Sequence, residues 1–384
     1  VESIDVVRGI VMILMALDHV RDFYGVATIS PTDPAHASVA LFFTRWVTHI
    51  CAPTFFLLTG TGAFLARRRF SISGLSRFLF TRGLWLIVLE LTILRCLGYQ
   101  FNFDYRVTML VILWALGWAM ITLAALVYLP IAAVATFGVL VIAAHNLFDG
   151  VNGSSLGAFG PVWTILHGPG VVWSGSGHLV FADYPLIPWV GVTAVGYALG
   201  GVFRWHADRR RAFLVRTGLL LLAGFLLLRF ANVYGDPVRW STQASPMRTA
   251  LSFLNAAKYP PSLLYLMMTL GPSLLLLWAF DGRTPRLLGP ALTLGRVPLF
   301  YFMLHLPLIH LAAVAVCFSR YGQAHWMFES PSLDQYPFTF PPGWGYSLPV
   351  VYGIWVVIVV MLYPLCRWFA AVKQHNRSGW LSYV

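Results

Sequence analysis

The sequence predicts an all-α polytopic membrane protein with about ten transmembrane helices and both termini in the cytoplasm. Three observations carry that expectation. Of 384 residues, 58% are hydrophobic and only 10% are charged, whereas an ordinary soluble domain carries roughly 25% charged residues. Apolar runs of about 20 residues, the length that crosses the hydrocarbon of a bilayer, recur along the chain. Arginines gather in alternate connections between those runs. A chain of this composition, with mean hydropathy +0.73, cannot cover itself with polar surface in water.

The runs fall at 6–26, 39–66, 77–97, 106–127, 129–147, 184–203, 212–231, 259–280, 296–317 and 347–369. The first is apolar until Asp18, His19, Arg21 and Asp22 close it. The second is long enough to tilt or to begin in the interface. The third carries Glu90 and Arg95, expected to be buried or to face a cavity. The fourth and fifth are joined by little more than Tyr128, Leu129 and Pro130, which predicts a tight helical hairpin. The sixth opens on "YPLIPWVGV" and the eighth on "KYPPSLLYL", where aromatics and prolines suit an interfacial start. The ninth carries His305 and His310. No internal repeat is visible, and 1–384 is read as a single integral-membrane domain.

With the N-terminus inside, the cytoplasmic segments hold Arg8, Arg67, Arg68, Arg69, Arg77, Arg204, Arg209, Arg210, Arg211, Arg283, Arg286, Arg296, Arg367, Lys373 and Arg377, fifteen in all. The outer connections hold five: Arg106, Arg239, Arg248, Lys258 and Arg320. That bias explains the net charge of +12 as topology, and with no soluble module to carry it, nucleic acid is not an expected partner. The four cysteines show no CxxC spacing, so neither a zinc site nor a disulfide framework is expected. The first apolar segment has Asp18 and His19 where a small-residue cleavage site would stand, so no cleavable signal peptide is expected there. The outer connections 148–183, 232–258 and 318–346 are long and rich in Gly, Pro, Trp and Ser, the kind of loop that caps a site.

Of eleven histidines, only His206 and His375 fall on the cytoplasmic side. The other nine lie in the outer halves of spans or in outer loops. His19 and Asp22 are three apart, and Asp18 and Asp22 four apart, so each pair shares a helix face. Arg45 and His49 are four apart ahead of Pro53, and His145 and Asp149 are four apart in "AHNLFDG". A histidine beside a carboxylate has its tautomer fixed and its basicity raised for general-base work. Taken singly, each histidine also fits a structural role at a helix end, and the arginine triplets fit topology before ligand binding. What the structural reading leaves unexplained is the collection: titratable groups from at least four spans gather on one side, at depths where each costs a few kcal/mol unless paired or wet.

"SIDVVRGIVMILMALDHVRDF" followed by "LFFTRWVTHICAPTFFLLTGTGAFL" resembles the catalytic-domain family of heparan-α-glucosaminide N-acetyltransferase, particularly its bacterial members. "HNLFDG", "YPLIPWVGV", "KYPPSLLYLMMTLGP" and "LGRVPLFYFMLHLPLIH" fit the same group. The opening also resembles acyltransferase-3-type enzymes, in which an Arg at the start of the first span precedes a His with the spacing of Arg8 and His19. The resemblance implies acyl transfer across a membrane. Cytoplasmic acetyl-CoA or another acyl-CoA would be the co-substrate, and an amino or hydroxyl group of an extracytoplasmic sugar the acceptor. It implies His19 as the catalytic histidine and Arg8 as the matching basic residue. Human-type members place their functional His in the segment after the first span and an Asp where this chain has His49, so His49 and then His36 stand as alternatives. A bacterial inner (plasma) membrane, a cell-envelope sugar and a homodimer are compatible with this reading.

On that reading His19, oriented by Asp22 or Asp18, takes the acceptor's proton, while Arg45 or a loop amide stabilises the oxyanion. Arg8, Arg82 and Arg296 would meet the CoA phosphates, and no metal is expected. An acyl-histidine intermediate remains open. The alternative is a proton-coupled transporter of a small polar solute, with the His–Asp groups as a proton relay. A relay needs ionisable groups through the whole membrane depth, whereas these cluster outward.

Overall fold

The computed structural model describes residues 1–26, 30–332 and 335–376; Arg377 lies outside the described residues. Fourteen α-helices follow in chain order among them. They begin with α1 (Glu2–Tyr24), α2 (Val39–Thr48), α3 (Cys51–Ala66) and α4 (Ile72–Leu89). Strand β1 (Val107–Leu110), α5 (Ile112–Leu126), α6 (Ile131–Ala144) and α7 (Gly160–Leu166) come next. Strands β2 (Gly170–Gly175) and β3 (His178–Ala182) precede α8 (Leu186–Val202), α9 (Ala207–Ala231), α10 (Pro246–Leu254) and α11 (Leu263–Ala279). The chain closes with α12 (Gly289–Arg296), α13 (Pro298–Tyr321) and α14 (Leu348–His375).

Every apolar run expected from the sequence contains helix. Five segments are long and apolar enough to cross a membrane by length and composition: Val39–Ala66, Ile131–Phe148, Ala207–Ala231, Pro298–Tyr321 and Leu348–His375. Ile112–Leu126, Leu186–Val202 and Leu263–Ala279 are shorter apolar helices. The outward faces are apolar too: Leu227 and Phe230 on α9 are 72% and 76% exposed, a surface suited to lipid rather than water.

Local chemistry explains where the runs depart from simple helices. The 39–66 run breaks at His49 and Ile50. Pro53 lacks an amide proton and its ring would crowd the carbonyl four residues back, so it sits in the first turn of a new helix instead. Beyond α4 the winding widens to π-helix over Glu90–Tyr99. The 106–127 run begins as a strand, and the 148–183 connection holds a hairpin, so the chain is not purely helical. Ser176 and Gly177 supply the positive φ values, 53° and 76°, of a tight two-residue turn. β2 and β3 pair antiparallel across it from Gly175↔His178 to Gly170↔Ala182.

The chain forms two compact units, one of residues 1–51, 91–108 and 282–384, the other of 52–90 and 109–281. In the first, α1 is the central helix. Val6, Val7, Val11, Ala16 and Val20 are fully buried, and α12, α13, α14 and α2 pack around it. The α1–α12 crossing is backbone against backbone: a Cβ on Gly9 would lie 1.8 Å from the Ala291 carbonyl oxygen, and one on Gly295 1.7 Å from that of Asp5. Small residues at such crossings are the usual way helices approach when lipid supplies no hydrophobic drive. Trp355 of α14 donates its indole N–H to the Ile13 carbonyl of α1 at 2.8 Å. In the second unit α4 pairs with α5, α6 with α8, and α9 with α11.

Candidate active site

In the first unit the last turns of α1 meet the end of α2. Asp18 and Arg21 are three apart and share a face, as do Arg45 and Thr48 on α2. The Asp18 carboxylate accepts from Arg45 Nη1 and from the Thr48 hydroxyl at 3.0 Å, and forms an ion pair with Arg21 Nη2 at 3.0 Å. Arg21 also donates to Asp22. Asp18, Arg21 and Thr48 are buried. Two guanidinium groups thus balance two carboxylates, which is how buried charge is tolerated.

His19, half-buried, lies on the neighbouring face of α1. Its ring stands 5.1 Å from that of His305 on α13, tilted by 52°. His305 is fully buried. Its Nδ1 is 2.7 Å from the Phe302 carbonyl oxygen, so Nδ1 carries the proton and donates it. Nε2 therefore presents a lone pair, and it has no hydrogen-bond partner among the described residues. Tyr301 stacks on His305 at 5.5 Å. A half-buried imidazole against a buried one of fixed tautomer can take up a proton at one ring while the other stays oriented.

His49 is buried at the break between α2 and α3, its backbone N–H capping Trp46 at 3.2 Å. His36 is exposed, its Nδ1 2.6 Å from Asp33 Oδ2. That hydrogen bond first, and the Ala35 amide second, hold the Asp33 carboxyl below its usual range. His310 is held structurally: its ring nitrogens lie 3.0 Å from the Gly98 oxygen and 2.7 Å from that of Met327, and it stacks on Phe101.

Of the basic candidates, Arg8 donates to Asp5 at 3.2 Å and to the Gly295 carbonyl at 3.0 Å. It therefore stands at the α12 end beside the exposed Arg296. Arg82 belongs to the second unit, its guanidinium over Phe78 at 5.9 Å. Among the described residues no group of three His, Cys, Asp or Glu is placed to hold a metal ion.

The second unit has its own polar cluster. His145 Nδ1 lies 2.9 Å from the Ile142 oxygen, and His167 Nε2 lies 2.8 Å from the His145 oxygen. Asn146 holds Asp149 Oδ2 at 2.8 Å. The Asp236 carboxylate accepts from Ser262 at 2.7 Å and from the Ala257 amide at 2.9 Å, although burial raises its pKa. Glu90 Oε2 accepts from the Leu113 amide at 2.8 Å and so caps α5.

Sequence reasoning singled out Asp18, His19, Asp22, Arg45 and His49, and all lie on α1, α2 or the break after α2. It did not pair His19 with His305, whose helix lies far along the chain, nor assign Arg21 and Thr48 to Asp18. The i,i+3 spacing of Asp18 and Arg21 was a usable signal; the His19–His305 contact left none. Residues 1–228 match the family described as heparan-alpha-glucosaminide N-acetyltransferase, catalytic. That stretch includes Asp18, His19, Arg45 and His49 and ends before His305. No curated protein matches the chain.

Proposed function

The chain belongs to the heparan-alpha-glucosaminide N-acetyltransferase catalytic family, and from that premise we propose that this integral membrane acetyltransferase works across the bilayer. Cytoplasmic acetyl-CoA, or another short acyl-CoA, donates the acyl group to an amino or hydroxyl group of an extracytoplasmic sugar. In this reading ten spans place both termini in the cytoplasm of a bacterial plasma membrane, and one domain covers 1–384.

The chemistry is assigned to the outer end of α1. The acceptor nitrogen or oxygen attacks the thioester carbon while His19 takes its proton. The carbonyl oxygen becomes an oxyanion, stabilised by Arg45 or a loop amide. The C–S bond then breaks, and the thiolate leaves as free CoA with the proton from His19. Asp22 or Asp18 orients His19, and Arg8 and Arg296 meet the CoA phosphates. The single observation that supports this assignment is the His19–His305 ring contact at 5.1 Å, next to a buried, charge-balanced Asp–Arg network.

The test is release of CoA from acetyl-CoA by the purified protein with envelope glycans as acceptor. Release that His19→Ala abolishes and His49→Ala only weakens supports the assignment. The reverse pattern moves the base to the break after α2. No release with any short-chain acyl-CoA, alongside proton-linked solute uptake into liposomes, refutes acyl transfer.

A further inference from the structure

Arg67 and Arg204 of the second unit take no part in the acyl transfer assigned above. Their position is set by how α3 meets α8. A Cβ on Gly60 would lie 2.0 Å from the Thr193 carbonyl oxygen, one on Gly196 2.1 Å from that of Leu57, and one on Gly200 2.4 Å from Phe64 Cβ. Backbone therefore crosses on backbone, as small residues allow in a membrane. The contacts advance in the same sense along both helices, Leu57 with Gly196 and then Phe64 with Gly200, so α3 and α8 run parallel and finish together. Arg67 follows the end of α3 directly, and Arg204 stands two residues past the end of α8.

The two guanidinium groups share one aromatic ring. The Arg204 guanidinium carbon lies 4.7 Å from the centre of Phe64, and that of Arg67 5.6 Å. Both charges also bear on the Tyr197 hydroxyl. Phe64 is buried and packs edge-on against Tyr197 at 5.3 Å, so the ring is a fixed floor. Arg67 is half-buried and Arg204 exposed. A guanidinium held over an aromatic face keeps its in-plane N–H donors for an acceptor. In the same unit Arg210 is neutralised by Asp281 at 2.9 and 3.0 Å, and Arg229 has Asp236 at 3.8 Å. Arg67 and Arg204 have no carboxylate within ion-pair distance among the described residues. Two neighbouring cations left this way repel each other until an anion joins them.

Apolar surface begins beside the pair. The Arg204 amide bonds to the Gly201 carbonyl at 3.1 Å, and a Cβ on Gly201 would stand 3.1 Å from Ile131 at the start of α6. Ile131 is exposed, and further along α6 Val139 and Leu140 are exposed as well.

We propose that Arg67 and Arg204 hold the phosphodiester headgroup of an anionic phospholipid, with an acyl chain along the exposed face of α6. A phosphodiester offers two anionic oxygens that match the guanidinium fork, and basic pockets between membrane helices suit such headgroups. A soluble phosphate would leave the apolar strip unused. The inference does not depend on acyl transfer.

The test is titration of the full chain in a non-ionic detergent, read by native mass spectrometry. The probes are dioleoyl phosphatidylglycerol and dioleoyl phosphatidylcholine, with glycerol 3-phosphate and CoA as competitors. Phosphatidylglycerol should bind saturably and about tenfold more tightly than phosphatidylcholine. Arg67→Gln with Arg204→Gln should bring the two lipids within about twofold of each other. Arg68→Gln with Arg69→Gln removes the same charge from adjacent exposed positions and should leave phosphatidylglycerol binding within about twofold of wild type. Arg204→Gln alone, on an exposed side chain, should weaken it about threefold and serves where the double variant does not elute as wild type. Equal loss in the two double variants, an unchanged Arg204→Gln protein, or equal binding of the two lipids overturns the proposal. So does displacement of the lipid by glycerol 3-phosphate, which would mark a soluble-phosphate site, or by CoA, which would give the pair to the donor.

Discussion

Replacing Asp18 by alanine removes at once the acceptor for Arg45 and Thr48 and the ion-pair partner of Arg21. Deleting one partner of a buried ion pair costs about 3–5 kcal/mol, because the remaining charge stays buried. Here the losses are partly cushioned: Arg21 keeps Asp22, and the Thr48 hydroxyl keeps the Arg45 carbonyl at 2.8 Å. The lower end, about 3 kcal/mol, is therefore expected. At roughly 2 °C per kcal/mol for a chain of this size, that lowers Tm by about 6 °C. Asp18→Asn keeps the shape and one acceptor oxygen and should lose less. The assay is thermal unfolding in nanodiscs by intrinsic fluorescence. Arg45→Met alone should also destabilise, but combined with Asp18→Ala the cost should fall short of the sum by about 1 kcal/mol or more, since the two changes delete one interaction. An Asp18→Ala protein melting within about 1 °C of wild type, or full additivity in the cycle, would refute the reasoning.

Gly295→Ala places a methyl 1.7 Å from the Asp5 carbonyl oxygen. It should push α12 from α1 and sharply reduce the yield of monodisperse protein on size exclusion. Gly62→Ala meets nothing within 4 Å and should be neutral or gain roughly 0.4–1 kcal/mol; equal yields for both would show that the close approach is wrong. His36→Ala removes the leading cause that holds Asp33 low, so the Asp33 carboxyl should titrate higher in a carbon-13 NMR experiment. A carboxyl lowered by folding adds stability above its ordinary titration range and loses it as pH falls through the lowered value. His36→Ala should erase that small acid-side dependence, and an unmoved Asp33 resonance would contradict it.

The sequence carried the helices well because lipid imposes a strict rule: an apolar run of the right length must satisfy its own backbone. It carried the interruptions less well. The break at His49 was foreshadowed by Pro53, yet the run on either side stays apolar and reads as one span. The β2–β3 hairpin was hidden in a loop rich in Gly and Ser, and only the Ser176–Gly177 pair hinted at its turn. In the candidate site, local spacing could find Asp18 and Arg21, since one helix sets both. It set Arg45 and His49 on one face by the same logic, and it could not show that Arg45 Nη1 also reaches across to Asp18 on α1. It placed His145 near Asp149, and it could not show that His167, brought in by the 148–183 connection, lies against both. Contacts such as His19 with His305 are set by which helices neighbour each other, and hydropathy contains no term for that.

α1 is unbroken from Glu2 to Tyr24, and this makes it a ruler. Eleven steps of helix separate Arg8 from His19, about 16 Å along the axis at 1.5 Å per residue. Because both residues belong to that one helix, no sliding of α1 against α12 changes the distance. On the proposed assignment, a donor held at Arg8 and served by His19 would have to reach about 16 Å between its anchor and its reactive carbon, so donors would be sorted by reach before any pocket sorted them by shape.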